Sequence, residues 1–346
     1  MAILADQTRR NFLKASGATA TAATIGAPSI LGAAPLKKVN FVIQYFARGD
    51  YAEYYLALDR GYFAKRGLDV TIQHVLGNAL AYQTLSAGKA AFAHADIVQM
   101  LQLQGKSPKP QLLLVADIAD KLALSLFFLK GRGIVHPKDL EGKIIVDSPG
   151  STTPFIFKLF AEKNGIDPKK VSWLFTAATN KSAMMLEGKA DAVATYLPGL
   201  ASLQAHLKPG QEIGYFMFGE NGVDIYGDGL ITRKDYWDRD GDKETAKAFV
   251  AACLDGCKDA FADPAAAVDA LRKYHPEVNR ATGIEEEKLM AKVCMQPHGL
   301  GYIDPGKMQR TYSAVVNLLG QPIPKPVTAY YTSAALPAKL PDRQAS

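Results

Sequence analysis

Along this chain, short runs of apolar and β-branched residues alternate with stretches whose apolar positions recur every three or four residues. The first pair is the clearest. Residues 39–46 read as a strand, and Tyr51, Tyr54, Tyr55, Leu58, Tyr62 and Phe63 then fall along one face of a helix. Asp50 stands just ahead of that face, where a side-chain oxygen can cap free backbone N–H groups. Gly67 closes the helix, since glycine accepts the left-handed conformation of a helix exit. Residues 69–75 form the next strand, so the run predicts a βαβ unit with a polar loop at the mouth of its first strand.

The alternation continues. Helices are predicted over residues 79–87, 97–104, 154–164 and 181–187, and strands over 90–94, 111–118, 144–147, 171–175 and 190–194. Residues 122–129 are a further apolar run, and Ser148–Thr153 forms a polar loop. Strands alternating with helices over this length predict an α/β fold with parallel, doubly wound sheets. A faint repeat divides it in two. Leu85-Ser86-Ala87-Gly88-Lys89-Ala90 and Met185-Leu186-Glu187-Gly188-Lys189-Ala190 lie one hundred residues apart, each a helix end, a Gly-Lys exit and a strand start. By this correspondence the loop at residues 47–50 pairs with residues 148–153, and His94-Ala95-Asp96 pairs with Thr195-Tyr196. Residues 224–232 read as a returning strand, followed by helices over 243–261, 264–274, 285–294 and 307–319 and a proline-rich tail. The expected division is a first lobe from residues 35–121 and 225–346, with its helical closing section, and a second lobe from 122–224.

The N-terminus has its own pattern. Thr8-Arg9-Arg10-Asn11-Phe12-Leu13-Lys14 matches the twin-arginine export signal, and an Ala/Thr/Gly-rich segment leads to the small residues Gly32, Ala33 and Ala34 that suit a signal peptidase. Residues 1–34 are therefore expected to be a cleaved signal peptide, with the remainder delivered folded to the periplasm. No cysteine stands near its end, so a lipid anchor is not expected.

At 346 residues the chain has room for two domains of ordinary size, and 48% hydrophobic with 21% charged residues describes a soluble globular protein. Removing the net +2 of the signal segment from the formal +6 leaves a diffuse +4 with no basic block, so no nucleic-acid partner is expected. Cys253, Cys257 and Cys294 are an odd set, read as buried thiols. The six histidines show no metal-ligand spacing, and neither a nucleophile elbow nor a phosphate-binding loop occurs, so no metal, cofactor or catalytic residue is assigned.

Ligands of doubly wound sheets sit outside the carboxyl ends of the strands. That rule selects candidate ligand-binding residues. Tyr45 and Tyr51 can stack on a planar ligand, and Asp50 can accept from an amine or ring N–H, although the same aspartate serves equally as a helix cap. Ser151 and Thr152 open a helix whose positive end suits an anionic group or a neutral acceptor, and ordinary capping explains them as well. His94, Asp96 and Tyr196 end their strands on the same edge. Asp224 and Tyr226 enter at the returning strand, as cleft residues or as part of a simple turn.

Taken together, these motifs resemble a type II periplasmic substrate-binding protein of an ABC importer, in the group that includes binders of thiamine-pyrimidine precursors, sulfonates, taurine and nitrate. The resemblance rests on Asp50 with Tyr54–Phe63 and Gly67–Val70, then Leu85–Lys89, Asp139–Lys143 and Leu186–Asp191, and it spans roughly residues 39–260. It implies two lobes joined by a two-stranded hinge, a ligand held between them, release to an inner-membrane permease, and a monomer that performs no chemistry. Tyr196 falls where such proteins place a ligand-contacting aromatic. The tyrosines of the first loop favour a planar heteroaromatic ligand resembling a thiamine-pyrimidine precursor. The Ser/Thr loop keeps a sulfonate, taurine, nitrate or aromatic acid as the alternative. A pyrimidine-synthesising enzyme on this fold carries a cysteine-rich cluster that this sequence lacks, and a sensor would keep the cleft without the permease.

Overall fold

The computed structural model describes residues 35–342, apart from 106, 108, 110 and 295–297. The segment read as a signal peptide lies outside the described residues. The described strands are β1 (Lys37–Ile43), β2 (Leu68–His74), β3 (Phe92–Asp96), β4 (Leu112–Asp117), β5 (Leu124–Leu129), β6 (Ile144–Asp147), β7 (Ser172–Phe175), β8 (Ala192–Tyr196), β9 (Ile213–Met217) and β10 (Asp228–Arg233). The helices are α1 (Ala52–Asp59), α2 (Asn78–Ser86), α3 (Ile97–Gln104), α4 (Thr153–Lys163), α5 (Lys181–Leu186) and α6 (Gly199–Gln204), then α7 (Lys234–Trp237), α8 (Asp240–Ala262), α9 (Pro264–Arg272), α10 (Arg280–Val293) and α11 (Pro305–Leu319).

The strands build two five-stranded sheets, ordered β2-β1-β3-β10-β4 and β7-β6-β8-β5-β9. β1 runs parallel to β2 and β3, and β6 runs parallel to β7 and β8. The expected all-parallel sheets are instead mixed. β10 is antiparallel to β3 and β4, and β5 is antiparallel to β8 and β9. The reason is connectivity. The chain leaves the first sheet after β4, enters the second through β5, and returns from β9 through β10. Each sheet thus receives one strand arriving from the other lobe, which runs against its neighbours. β9 was not recognised in the sequence: it is a half-exposed edge strand of five residues with weak alternation.

The hundred-residue repeat takes equivalent places in the two sheets. Gly88 and Gly188 end α2 and α5 with φ of +71° and +77°, and the central strands β3 and β8 follow. A Cβ at Gly88 would stand 3.4 Å from the Arg233 guanidinium, and one at Gly188 would stand 3.0 Å from that of Arg132. Arg233 ends the incoming antiparallel strand β10, and Arg132 follows its counterpart β5. Similar packing therefore recurs around each helix exit.

The opening run forms its helix in a shorter version. α1 stops at Asp59 because Gly61 turns with φ of +69°, and a 3₁₀ turn at Ala64–Arg66 precedes Gly67. The aromatic face is core. Tyr54 and Tyr55 are buried, and Phe41, in β1, makes an edge contact with Tyr54 at 5.0 Å. Phe249 of α8 stacks on Phe92 of β3 at 4.1 Å and also meets Phe41 and Phe63. All three cysteines are buried, two of them on α8. In the described residues no helix is long and apolar enough to cross a membrane.

Phe249 is the ring on which α8, β1 and β3 converge, so Phe249→Ala leaves a cavity in close-packed surroundings. Urea unfolding should show a loss of about 3–5 kcal/mol, and a loss below about 1 kcal/mol would mean that this cluster does not anchor α8.

Candidate functional site

The carboxyl ends of β1, β6 and β8 face one another across a cavity of about 120 Å³. Gln44, Tyr45, Arg48 and Tyr51 reach it from the loop after β1, and residues 76–79 from the loop before α2. The second sheet supplies Leu124, Asp147–Thr153, Ala178, Lys181 and Ala194–Tyr196.

Of the residues selected from the sequence, Tyr45, Tyr51, Ser151, Thr152 and Tyr196 line this cavity. His94 and Asp96 lie buried beneath it. His94 pairs through Nδ1 with the Tyr54 hydroxyl at 2.8 Å, and its ring meets Tyr51 edge-on at 5.3 Å. Its Nε2 lies 3.6 Å from Asp228 and makes no hydrogen bond among the described residues. Asp96 accepts from the Gln99 N–H at 2.6 Å, from Thr152 Oγ1 at 3.3 Å and from the Tyr196 hydroxyl at 3.2 Å. The last two donors come from the opposite sheet. Asp96 and Tyr196, exactly the strand ends paired by the sequence repeat, therefore meet across the cleft.

Three selected residues sit elsewhere. Asp50 is not a helix cap and does not line the cavity. It lies in a 3₁₀ turn at Gly49–Tyr51, which makes no side-chain cap, and it accepts two bonds from Arg48, from Nε at 2.8 Å and Nη2 at 2.6 Å. The neighbouring arginine outcompetes backbone N–H groups because the bidentate, charge-assisted pair is the stronger contact for a buried carboxylate. Asp224 and Tyr226 also lie outside the cavity. Asp224 is exposed and pairs with Arg310 at 2.9 Å, while the buried Tyr226 accepts from the Asp304 N–H at 2.7 Å. The returning strand starts only at Asp228, so both residues belong to the crossover that packs on α11.

The sequence reading passed over several residues that build the site. Gln44 donates to Asp228 at 2.7 Å and accepts from the Asp96 N–H at 3.2 Å, which ties β1, β3 and β10 together under the cavity. Lys181 donates to Asp147 at 3.1 Å and to the Ala194 carbonyl at 2.7 Å. Asp147 also accepts from the Ser148 N–H at 2.7 Å and from the Ser151 hydroxyl, so it organises the whole Ser/Thr loop. Gln44 and Arg48 were inside the selected loop, where attention to buried polar types would have found them. Lys181 carried no local signal, since its partners come from two other strands.

Electrostatics give the cavity its character. Burial works against the charge of Arg48, but Asp50 and Glu286 outweigh it and hold the guanidinium well above its ordinary pKa. Burial, with Asp228 beside it, lifts the Asp96 carboxyl to about 7, against the pull of its three donors. Burial likewise raises the Tyr51 and Tyr196 phenols well above their usual value, so both remain donors. Both cations lining the cavity are thus already paired, and carboxylates stand behind its walls. The described residues contain no cluster of three or more His, Cys, Asp or Glu side chains able to hold a metal ion.

Two α/β lobes, joined by two crossings of the chain and closed on a tyrosine-walled cavity, define the periplasmic binding protein class. The chain belongs to the NMT1/THI5 like family, whose profile matches residues 48–267. A second profile, the twin-arginine translocation pathway signal sequence, matches residues 6–26 and marks the protein for export to the periplasm. The chain is 27% identical over 259 residues to a formylaminopyrimidine-binding protein of Halalkalibacterium halodurans, covering 73% of this chain and 76% of that one. It is 23% identical over 327 residues to the riboflavin-binding protein RibY of Chloroflexus aurantiacus, covering 88% of each. The structure of the alkanesulfonate-binding protein SsuA from Xanthomonas axonopodis pv. citri, bound to MOPS, shares the fold. Its TM-score is 0.64 at 15% identity, over 88% of this chain and 99% of that one.

Asp96 has a testable pH signature. Its carboxyl titrates near 7 when folded and near 3.9 when unfolded. Between these values the native state holds a proton that the unfolded state has lost, so stability from this group falls as pH rises from about 4 to about 7. Melting temperatures of the wild type and Asp96→Asn across that range should diverge, with the variant losing less stability. Parallel curves would rule out the raised Asp96 titration. Comparing the two proteins cancels the same-sign contributions of the buried Glu53, Glu286 and Glu287.

Proposed function

We propose that this protein is a periplasmic receptor that captures a small planar heteroaromatic ligand, similar to a thiamine-pyrimidine precursor, and delivers it to an ABC permease. The observation that carries this reading is a ring-sized cavity with three tyrosines on its walls and both of its cations neutralised within the protein. A cavity of about 150 Å³ suffices for a benzene ring, and the 120 Å³ here matches one six-membered ring better than a tricyclic one. Beyond the positive end of α4, a sulfonate or nitrate is held best by an unpaired cation. Arg48 and Lys181 are instead held by Asp50 and Asp147, and the hydroxyl of Thr152 is directed to Asp96.

The relatives that bind a formylaminopyrimidine and riboflavin support a nitrogen heterocycle. In this reading residues 122–224 move as one lobe against residues 35–121 and 225–346, with the two crossings as hinge. Closure excludes water and brings Thr152 and Tyr196 onto Asp96. Affinity comes from stacking on Tyr45, Tyr51 and Tyr196 and from directed hydrogen bonds to the loop at residues 148–153. The ring-binding residues take part in no chemical step, and the receptor acts as a monomer.

The test is a thermal-shift panel of aminopyrimidines, sulfonates, nitrate and aromatic acids. A ring ligand at one hundred times its Kd should stabilise the protein by about 2.7 kcal/mol, and Tyr45→Ala should weaken it at least about tenfold. Stabilisation by a sulfonate or nitrate instead of any heteroaromatic ring would overturn the proposal.

A further inference from the structure

Beside the ring-sized cavity lies a larger chamber of about 340 Å³. Tyr45, Arg48, Ala178 and Thr195 line both spaces, so the two adjoin along this wall. The remaining walls include Thr179 and Ser182 at the start of α5, and Gly199, Ser202 and His206 on and after α6. A single ring in the inner cavity leaves this chamber to water.

We infer that the chamber is a second subsite that holds a neutral, hydroxylated tail attached to the bound ring. The inference rests on the ring-binding reading and deepens it. Its centre is Arg48. Nε and Nη2 are spent on Asp50, and Nη1 makes no hydrogen bond among the described residues. A Cβ added to Gly199, which lines the chamber and not the inner cavity, would stand 3.6 Å from Nη1. The free edge of the guanidinium is therefore turned toward the chamber.

Charge selects the tail. Asp50 offsets Arg48 at 2.6 Å, and Glu286 approaches it at 3.9 Å. Nη1 remains a directed donor with little net charge behind it, which favours a hydroxyl or carbonyl oxygen over a phosphate or carboxylate. Two serines of the chamber offer the complement. The Ser202 hydroxyl donates to Glu286 at 2.6 Å and so presents lone pairs to a donor. The Ser182 hydroxyl has no bond to the described residues and can turn either way. A group that both donates and accepts, as an alcohol does, can satisfy Arg48 and the serines together.

Calorimetric titration with cytosine, cytidine and cytidine 5′-monophosphate, and with the matching thymine series, tests this. The nucleoside should bind about tenfold tighter than its base, the gain of one or two net hydrogen bonds, and the phosphate should add nothing. Ser182→Phe should reduce the nucleoside to the affinity of the base and leave the base unchanged, with Ser182→Ala giving a smaller loss in the same direction. Equal affinity for base and nucleoside would overturn the chamber assignment while leaving the ring site intact. A nucleotide ten times tighter than its nucleoside would make the chamber an anion site and overturn it too. Failure of every base and nucleoside to bind, while an aminopyrimidine binds, would overturn this inference alone, and failure of all these rings would remove the ring reading with it.

Discussion

A buried carboxylate is costly to leave without donors, and the arrangement of this cleft follows from that constraint at Asp96. The residue is fully buried and stands next to a second buried acid, Asp228. Its own helix supplies one donor, the Gln99 N–H. The other two, Thr152 and Tyr196, come from across the cleft. Low dielectric raises the cost of an unpaired charge and strengthens each bond that relieves it. The acid of one lobe and the hydroxyls of the other are therefore mutually dependent, and the cavity is the space they enclose.

The same constraint governs the cations. Arg48 and Lys181 could each have served as an anion receptor. Each is instead held by a neighbouring aspartate, and Asp147 also sets the shape of the Ser/Thr loop. A site with its charges internally paired offers directed hydrogen bonds and aromatic faces without strong electrostatic attraction. Recognition then depends on shape and on the placement of individual donors and acceptors.

Local signals were strong wherever a feature depends on its own neighbours in sequence. The helix exits at Gly88 and Gly188 were legible because a positive φ after a helix calls for glycine. The helix α1 was legible from the spacing of its aromatic residues, although Ala52, Glu53, Tyr54, Tyr55, Leu56 and Ala57 are all buried, so more than one face is core. The place of the cleft tyrosines was legible because the carboxyl ends of the strands in α/β sheets open into the cleft. Asp50 was misread because a cap and an ion pair look alike in sequence, and the outcome turned on Arg48 being buried two residues away. Asp224 and Tyr226 were misplaced because the start of β10 is decided by its pairing with β3 and β4, not by its own composition.

The sequence by itself determined the export signal, the two-fold repeat of α/β units, the core face of the first helix and the tyrosines at the mouth of the first strand. Each of these depends on short-range periodicity or on the conformational demands of single residues. Only the tertiary structure decided that the sheets are mixed, that Gln44, Asp147, Lys181 and Asp228 frame the site, and that a second chamber adjoins it. Those features arise from partners far apart in the chain, such as Gln44 with Asp228 and Asp96 with Tyr196. The pairing of a buried charge is settled by whichever group folding brings within reach, and no local pattern encodes that choice.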